Sequence, residues 1–236
     1  MARTQDAGDA YFARTFDWMA DRYVEQTRAV SWGGYDRWLD HAADLAAQDR
    51  PEALVDLGSG PGLLLAKLRE RLGAVRLVAV DLSGAVLDAL SDAAVERHCA
   101  SVAEFAADYP ERFDAATATF VLRDVEDPVG FLRDAARLLR RGGRLVILET
   151  HRPVGPGGIG FDLYFHHWLP WWGRMRLARD WPEGWGPNPY AWLSASQRRW
   201  RHGADVPAWL ERAGFERVAE HRRPDDVVML LTAVKA

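Results

Sequence analysis

The sequence predicts an α/β fold in which a mostly parallel sheet carries helices on both faces and ends in an antiparallel β-hairpin. Three observations carry that expectation. Short apolar runs alternate with amphipathic stretches of helical period from Pro51 to Thr150. A glycine-rich turn, "LGSGPG", joins the first apolar run to the first amphipathic stretch. Residues 215–236 then read as strand, turn and strand with no helix between them.

In chain order, residues 8–48 read as two or three amphipathic helices, broken at "SWGG" (Ser31 to Gly34) and ended by Pro51. "EALVDLG" (Glu52 to Gly58) is a short apolar run closed by a turn, hence a buried strand. "GLLLAKLRERLG" is a helix with Gly73 as its C-cap. "VRLVAVDLS" is the second strand, and "GAVLDALSDAAVE" the helix after it, with Ser83 as N-cap. A weak strand is expected over His98 to Ser101, followed by a short helix from Val102. "FDAATATFVL" is a further strand. "PVGFLRDAARLLR" is a helix with Pro128 in its first turn, and "GRLVILET" another strand. "RPVGPGGIG" (Arg152 to Gly160) reads as a flexible connection. "VPAWLERAG" is a helix, and "FERVAEHRR" and "VVMLLTAVKA" form the hairpin around "PDD" (Pro224 to Asp226).

Composition sets limits on function. A chain of 236 residues with 48% hydrophobic content can bury one substantial core. A formal charge of −4 gives no reason to expect a polyanion, and Arg198, Arg199 and Arg201 read as a solvated helix face, so no nucleic-acid partner is expected. The single Cys99 excludes an intrachain disulfide and suits a reducing compartment. No apolar signal region opens the chain and no run approaches the length of a membrane span, so a cytoplasmic protein without an integral membrane segment is expected. No metal is expected, because the adjacent His166 and His167 point apart on a helix and no third ligand is spaced to join them. Eight of the eleven Trp fall between Trp168 and Trp209, in a stretch expected to be rich in loops and to line an apolar pocket.

The chemistry starts at the glycine loop. Gly58, Gly60 and Gly62 alternate between a strand and a helix, where the backbone can turn sharply and approach a ligand. Asp81 ends the next strand, where a carboxylate can accept both hydroxyls of a ribose. The spacing departs from the dinucleotide fingerprint, and Asp56 stands two residues before the first Gly. A carboxylate there would repel a diphosphate and suits a ligand that carries an ammonium group.

"VDLGSGPG" followed by "VAVDLS" resembles the first two motifs of class I S-adenosylmethionine-dependent methyltransferases. That resemblance implies a Rossmann-like, seven-stranded sheet. Within the superfamily the match narrows to the ubiquinone/menaquinone biosynthesis C-methyltransferases, almost end to end. "FDWMADRYVEQTRAVSWGGYDRW" resembles that family's N-terminal motif, and "FDAATATFVLRDVEDP" its "FGLRNV" signature. "LLRRGGRLVILET", "FDLYFHHWLPWWG" and "YAWLSASQRRW" are similar to three further segments, in the same order. The chain departs from the family at Val102, where Asn or Asp is usual, at Val24 and Thr27, at "PDD", and at Trp171 and Trp172.

The resemblance implies S-adenosylmethionine as cofactor, S-adenosylhomocysteine as product and a hydrophobic small molecule as methyl acceptor. Tyr23, Asp56, Gly58, Ser59, Gly60, Gly62, Asp81, Leu82, Ser101, Val102, Ala103 and Phe120 are the expected cofactor residues. Carbon methylation of a hydroxylated ring needs a base or an oxyanion stabiliser. Arg123 is the first candidate, as a fixed cation, with His167 and Tyr164 behind it. The alternative for Arg123 is a pairing with Asp124 or Asp127. A single domain is expected, with a helical lid over 1–50, a cofactor core over 51–150, a Trp-rich substrate insertion over 151–205 and a C-terminal helix and hairpin over 206–236. O- or N-methylation, or cofactor binding without transfer as in a cyclase or regulatory module, stay as alternatives. The oligomeric state, a homodimer among the options, is left open.

Overall fold

The structure, a computed structural model, describes residues 14, 15, 17–19, 22–31, 33–177, 180–200, 205–221 and 227–236. Arg201, "PDD" and the side chain of Tyr23 lie outside the described residues. Helices α1 (Tyr23–Val30) and α2 (Gly34–Ala47) meet at the expected break, where Gly33 takes a φ of 75°. Strand β1 (Ala53–Leu57), helix α3 (Leu63–Leu72), strand β2 (Arg76–Asp81), helix α4 (Gly84–Asp88), strand β3 (Glu96–Cys99) and helix α5 (Val102–Asp108) follow. Strand β4 (Phe113–Thr119) leads through a 3-10 turn, Leu122–Asp124, to helix α6 (Pro128–Leu138) and strand β5 (Leu139–Thr150). Helix α7 (Pro156–Leu163), a π turn over Tyr164–Trp168, helix α8 (Leu169–Leu177) and helix α9 (Pro189–Arg199) make the next layer. Helix α10 (Val206–Arg212) and strands β6 (Phe215–Glu220) and β7 (Val228–Lys235) close the chain.

The seven strands run β3-β2-β1-β4-β5-β7-β6 across one sheet. The β1, β2, β3, β4 and β5 pairings are parallel, and β7 is antiparallel to both β5 and β6. The period of two in strands separates the core into two faces. Val55, Leu57, Val78 and Val80 pack with Phe105, Leu132 and Leu210 on one side. Leu54, Leu77 and Ala79 pack with Leu39 and Leu65 on the other. The order reverses between β1 and β4, so their carboxyl ends diverge into a crevice at the point where open α/β sheets bind ligands.

Several boundaries differ from expectation for local reasons. Helix α4 stops at Asp88 because Asp92 forms its own turn, accepting from Ala94 N–H at 2.9 Å and from Arg69 Nε at 2.7 Å. Strand β3 ends at Cys99, since Ser101 caps α5: its hydroxyl accepts from Glu104 N–H, and Glu104 accepts from Ser101 N–H. Strand β4 ends at Thr119, because Phe120 turns to a φ of 57°. Strand β5 starts at Leu139, ahead of the expected Gly143. "RPVGPGGIG", expected as a flexible connection, runs into α7, where Pro156 is the first helical residue. Proline at that position lacks only an N–H that no helix would use.

Candidate active site

The glycine loop is latched to the end of β2. Gly58 N–H and Ser59 N–H donate to the Val80 carbonyl at 2.8 and 3.1 Å, and Gly60 N–H donates to Asp81 Oδ2 at 2.9 Å. Two of the glycines are there for space. A Cβ on Gly58 would lie 2.7 Å from Val121 Cγ2, and one on Gly62 would lie 1.9 Å from Leu90 Cδ2, both at positive φ. Asp81 also accepts from Ser83 N–H at 3.0 Å, and burial raises its pKa against the pull of these backbone donors. A carboxylate offers about four acceptor sites, so capacity remains for a ribose hydroxyl. Ser83 in turn donates to Asp17 at 2.5 Å, which ties the N-terminal segment to this edge.

A cleft of about 820 Å³ opens from this loop. One end is walled by Gly58, Gly60, Asp81 and Leu82, with Ser101, Val102 and Ala103 facing them, and Phe120 beside them. The other end is walled by Arg123, Asp124, Trp192, Trp200 and Trp209. Phe120 is held by Tyr35, whose ring stacks on it at 5.3 Å. Ser59 lines a separate small hollow with Tyr35 and Thr119. The carboxylates of the cleft are Asp81, Asp124, Glu126, Asp127 and Asp134, against the guanidiniums of Arg123 and Arg199. A surplus of carboxylates, with no cation at the glycine loop among the described residues, does not suit a diphosphate. It fits a phosphate-free nucleoside that carries positive charge, as S-adenosylmethionine does.

Asp56 is placed differently from expectation. It is fully buried beneath the loop, accepts from the Thr117 hydroxyl at 2.7 Å and does not line the cleft. Its Oδ2 has no hydrogen-bond partner, and burial pushes the carboxyl up to about 7, with Thr117 opposing and Asp81 adding to the rise. Gly62, too, is not in the cleft wall; its bare Cα leaves room for the buried Leu90.

Of the three catalytic candidates, only Arg123 reaches the cleft. Its Nη1 lies 2.6 Å from Glu149 Oε1 and 3.0 Å from the Phe120 carbonyl, and its Nη2 lies 3.4 Å from Asp124 Oδ2. Arg123 is thus beside Asp124, and closer still to Glu149. Tyr164 is turned away, its hydroxyl donating to the Val30 carbonyl at 2.6 Å, and its ring stacks on Trp168. His167 is exposed on the outer side of the same segment. Both residues ride the π turn, and the phase of that turn sets them outside the cleft.

Sequence reasoning missed Glu149 and gave Asp124 only the role of a pairing partner. Glu149 ends β5 beside the end of β4, and only the parallel register brings it to Arg123. Asp124 lines the cleft with a half-buried backbone turn behind it. Burial raises its carboxyl, against the pull of Arg123, while Glu149 adds to the rise and Ser196 and Trp192 oppose it. Its buried Oδ1 makes no hydrogen bond of normal length. The Trp-rich stretch, expected as a loop-rich pocket, is mainly helical and divides in two. Trp192, Trp200 and Trp209 face the cleft, whereas outside it Trp168 stacks on Trp172, Trp172 meets Tyr190 edge-on, and Trp181 meets Trp18 and Trp185 edge-on.

Comparison with known proteins gives the family and the fold. The model of the ubiE/COQ5 methyltransferase family matches residues 4–235. A demethylmenaquinone methyltransferase of Thermus thermophilus is 34% identical over 207 residues, which cover 85% of this chain and 90% of the relative. A ubiquinone/menaquinone biosynthesis C-methyltransferase of Vibrio cholerae is 29% identical over 227 residues, covering 92% and 85% respectively. The fold is shared with a Thermotoga maritima S-adenosylmethionine-dependent methyltransferase described as a possible histamine N-methyltransferase (TM-score 0.59, 15% identity, 94% of this chain and 100% of that one). Human N-acetylserotonin methyltransferase in complex with S-adenosylmethionine gives a TM-score of 0.56 at 15% identity, over 87% of this chain and 53% of that one. The chain belongs to the ubiE/COQ5 methyltransferase family and is an S-adenosylmethionine-dependent methyltransferase.

Proposed function

We propose that this methyltransferase alkylates a ring carbon of a hydrophobic quinol, of the kind named for its demethylmenaquinone and ubiquinone relatives. The observation that carries the reading is the continuity of the cleft. One space of about 820 Å³ joins the glycine loop and Asp81 to an end walled by three Trp beside Arg123 and Asp124. That volume is in the upper part of the range of about 300–1,000 Å³ for small-molecule sites, so it has room for a nucleoside and a ring together.

The bound cofactor supplies a sulfonium methyl group that is transferred by in-line displacement, without a protein nucleophile. The chain has to align the two reactants and make the acceptor carbon electron-rich. Gly58, Gly60, Asp81, Leu82, Ser101, Val102, Ala103 and Phe120 would hold the nucleoside side, with Asp81 as the acceptor for ribose hydroxyls. Trp192, Trp200 and Trp209 exclude water from the acceptor ring. Loss of the ring hydroxyl's proton pushes electron density onto the neighbouring carbon. Asp124 is the group that accepts this proton: burial brings its proton affinity closer to that of the hydroxyl, as general-base catalysis requires. Arg123, fixed by Glu149, stabilises the oxyanion that results. As the carbon–methyl bond forms and the sulfur–methyl bond breaks, the ring carbon keeps its hydrogen, which then leaves as a proton to water and restores the aromatic ring.

The test is turnover of the purified chain with S-adenosylmethionine and a short-chain reduced demethylnaphthoquinone, read by mass spectrometry. S-adenosylhomocysteine and a methylated quinol in equal amounts are expected. Transfer to simple phenols or amines in preference to the quinol would replace this reading with O- or N-methylation.

A further inference from the structure

Behind the cleft wall lies a buried polar chain that takes no direct part in the reaction. Thr150, the last residue of β5, is its junction. The Thr150 carbonyl accepts from Trp200 Nε1 at 3.1 Å. Its hydroxyl lies 2.6 Å from Gln197 Oε1 and 3.2 Å from Glu149 Oε1, and its N–H donates to that same Glu149 oxygen at 2.7 Å. Thr150, Gln197 and Glu149 are all buried, and none of them lines the cleft. They can therefore act on a bound acceptor only through Arg123, which does line it.

One hydroxyl carries one proton, so Thr150 cannot donate to both oxygens. The balance of charge decides between them. Arg123 is one guanidinium between two carboxylates, Glu149 at 2.6 Å and Asp124 at 3.4 Å, so the ionised cluster carries a net negative charge. A hydrogen bond to a carboxylate is roughly twice as strong as one to a neutral amide oxygen. The hydroxyl proton therefore goes to Glu149, and the Gln197 amide, turned end for end, donates from Nε2 to Thr150.

Donors on Glu149 fix its carboxylate and take up part of its charge, so more of the Arg123 charge is left for the cleft. The same chain reaches the acceptor wall. Gln197 lies on α9, which carries Trp192, and Trp200 follows directly after it. Both Trp side chains line the cleft. Thr150 thus ties the end of β5, which holds the guanidinium, to the helix that walls the acceptor.

We propose that Gln197 and Thr150 are positioning residues for Arg123, acting through Glu149, with Gln197 donating to Thr150 and Thr150 to Glu149. The inference rests on the reading of Arg123 as the group that stabilises the acceptor's oxyanion. Loss of the Thr150 hydroxyl leaves Glu149 with fewer donors and a tighter hold on the guanidinium. Loss of the Gln197 amide leaves Thr150 donating without a donor behind it, which is the smaller effect.

The experiment is a set of near-isosteric variants of the full chain, read by kcat with a reduced demethylnaphthoquinone and by KM for S-adenosylmethionine. Thr150→Val keeps the shape and suits a strand, and should lower kcat about tenfold with that KM unchanged. Thr150→Ser should recover most of the loss. Gln197→Met should lower kcat about twofold. Thr150→Val with Gln197→Met removes both partners, so it should unfold near the parent's urea midpoint and still show the loss of about tenfold. NMR of the Arg123 guanidinium protons, identified by their absence from Arg123→Lys, gives a second readout with no acceptor present. Their exchange with water should be slow in the parent and should change in Thr150→Val. The proposal falls if Thr150→Val keeps the parent's kcat and guanidinium exchange. It also falls if Gln197→Met raises kcat, for Thr150 would then have been donating to Gln197. If the parent turns over no quinol, the reading of the reaction fails, and the guanidinium exchange alone decides the positioning.

Discussion

Arg123 and Glu149 meet at 2.6 Å across the ends of two adjacent parallel strands, Glu149 fully buried and Arg123 one-tenth exposed. A second contact, from Arg123 N–H to Glu149 Oε2 at 3.2 Å, fixes the turn as well as the side chain. The arginine at the mouth of the cleft is therefore part of a buried ion pair before it meets any substrate. Removing it leaves a buried carboxylate without its cation, which costs about 3–5 kcal/mol. Arg123→Leu should lower the free energy of unfolding by that amount as well as stop turnover, and Arg123→Lys should recover part of the stability. Urea titration checks this, and an unchanged midpoint in Arg123→Leu would show that the pair contributes nothing.

Asp124 separates chemistry from scaffold. Asp124→Asn keeps the volume and removes the base, so kcat should fall by about 10²–10⁴-fold while cofactor binding is kept. Steady-state kinetics with parallel calorimetry of S-adenosylmethionine binding provides the check. Equal losses in both would make Asp124 a structural residue.

Asp81 should act on the cofactor both directly and through the glycine loop that it latches. Asp81→Ala removes hydrogen bonds from a charged acceptor, each worth about 1.5–3 kcal/mol, and so should weaken S-adenosylmethionine binding by roughly 100-fold or more. Isothermal titration measures it directly.

Asp56 gives the apo protein a pH signature. Folding raises its pKa from 3.8 to about 7, so the folded chain keeps a proton that the unfolded chain releases. The associated stability is complete below pH 3.8 and is lost as pH rises through about 7. Asp56→Asn still accepts from Thr117 and cannot ionise. Between pH 5 and 8 its stability should therefore fall less than the parent's, by on the order of a few kcal/mol. Denaturant midpoints across that range test it, and parallel curves would place the titration elsewhere.

Gly62→Ala should destabilise by about 2 kcal/mol or more, since the new methyl group needs both a strained φ and the space of Leu90. Leu90→Ala in the same chain should restore part of the loss, because it clears the steric share and leaves the strain.

What the sequence displays is local in origin. The strand–glycine–helix turn and Asp81 lie within one βα unit, so spacing alone brings them together. Pro156 misleads when read as a breaker, because proline is as comfortable at the first helical position as in a loop. Glu149 could not be placed beside Arg123 without knowing that β4 and β5 are parallel neighbours. The positions of Tyr164 and His167 depend on the phase of a helix that changes its pitch over Tyr164–Trp168, which the sequence does not display.

The most direct measurement is the position of the transferred methyl group. Turnover with S-adenosylmethionine carrying a ¹³C-labelled methyl group and a reduced demethylnaphthoquinone, followed by NMR of the product, separates a ring-carbon methyl from an ether methyl. A ring-carbon methyl that disappears in Asp124→Asn is the predicted result. An ether methyl, or a ring-carbon methyl formed at the parent rate by Asp124→Asn, would contradict it.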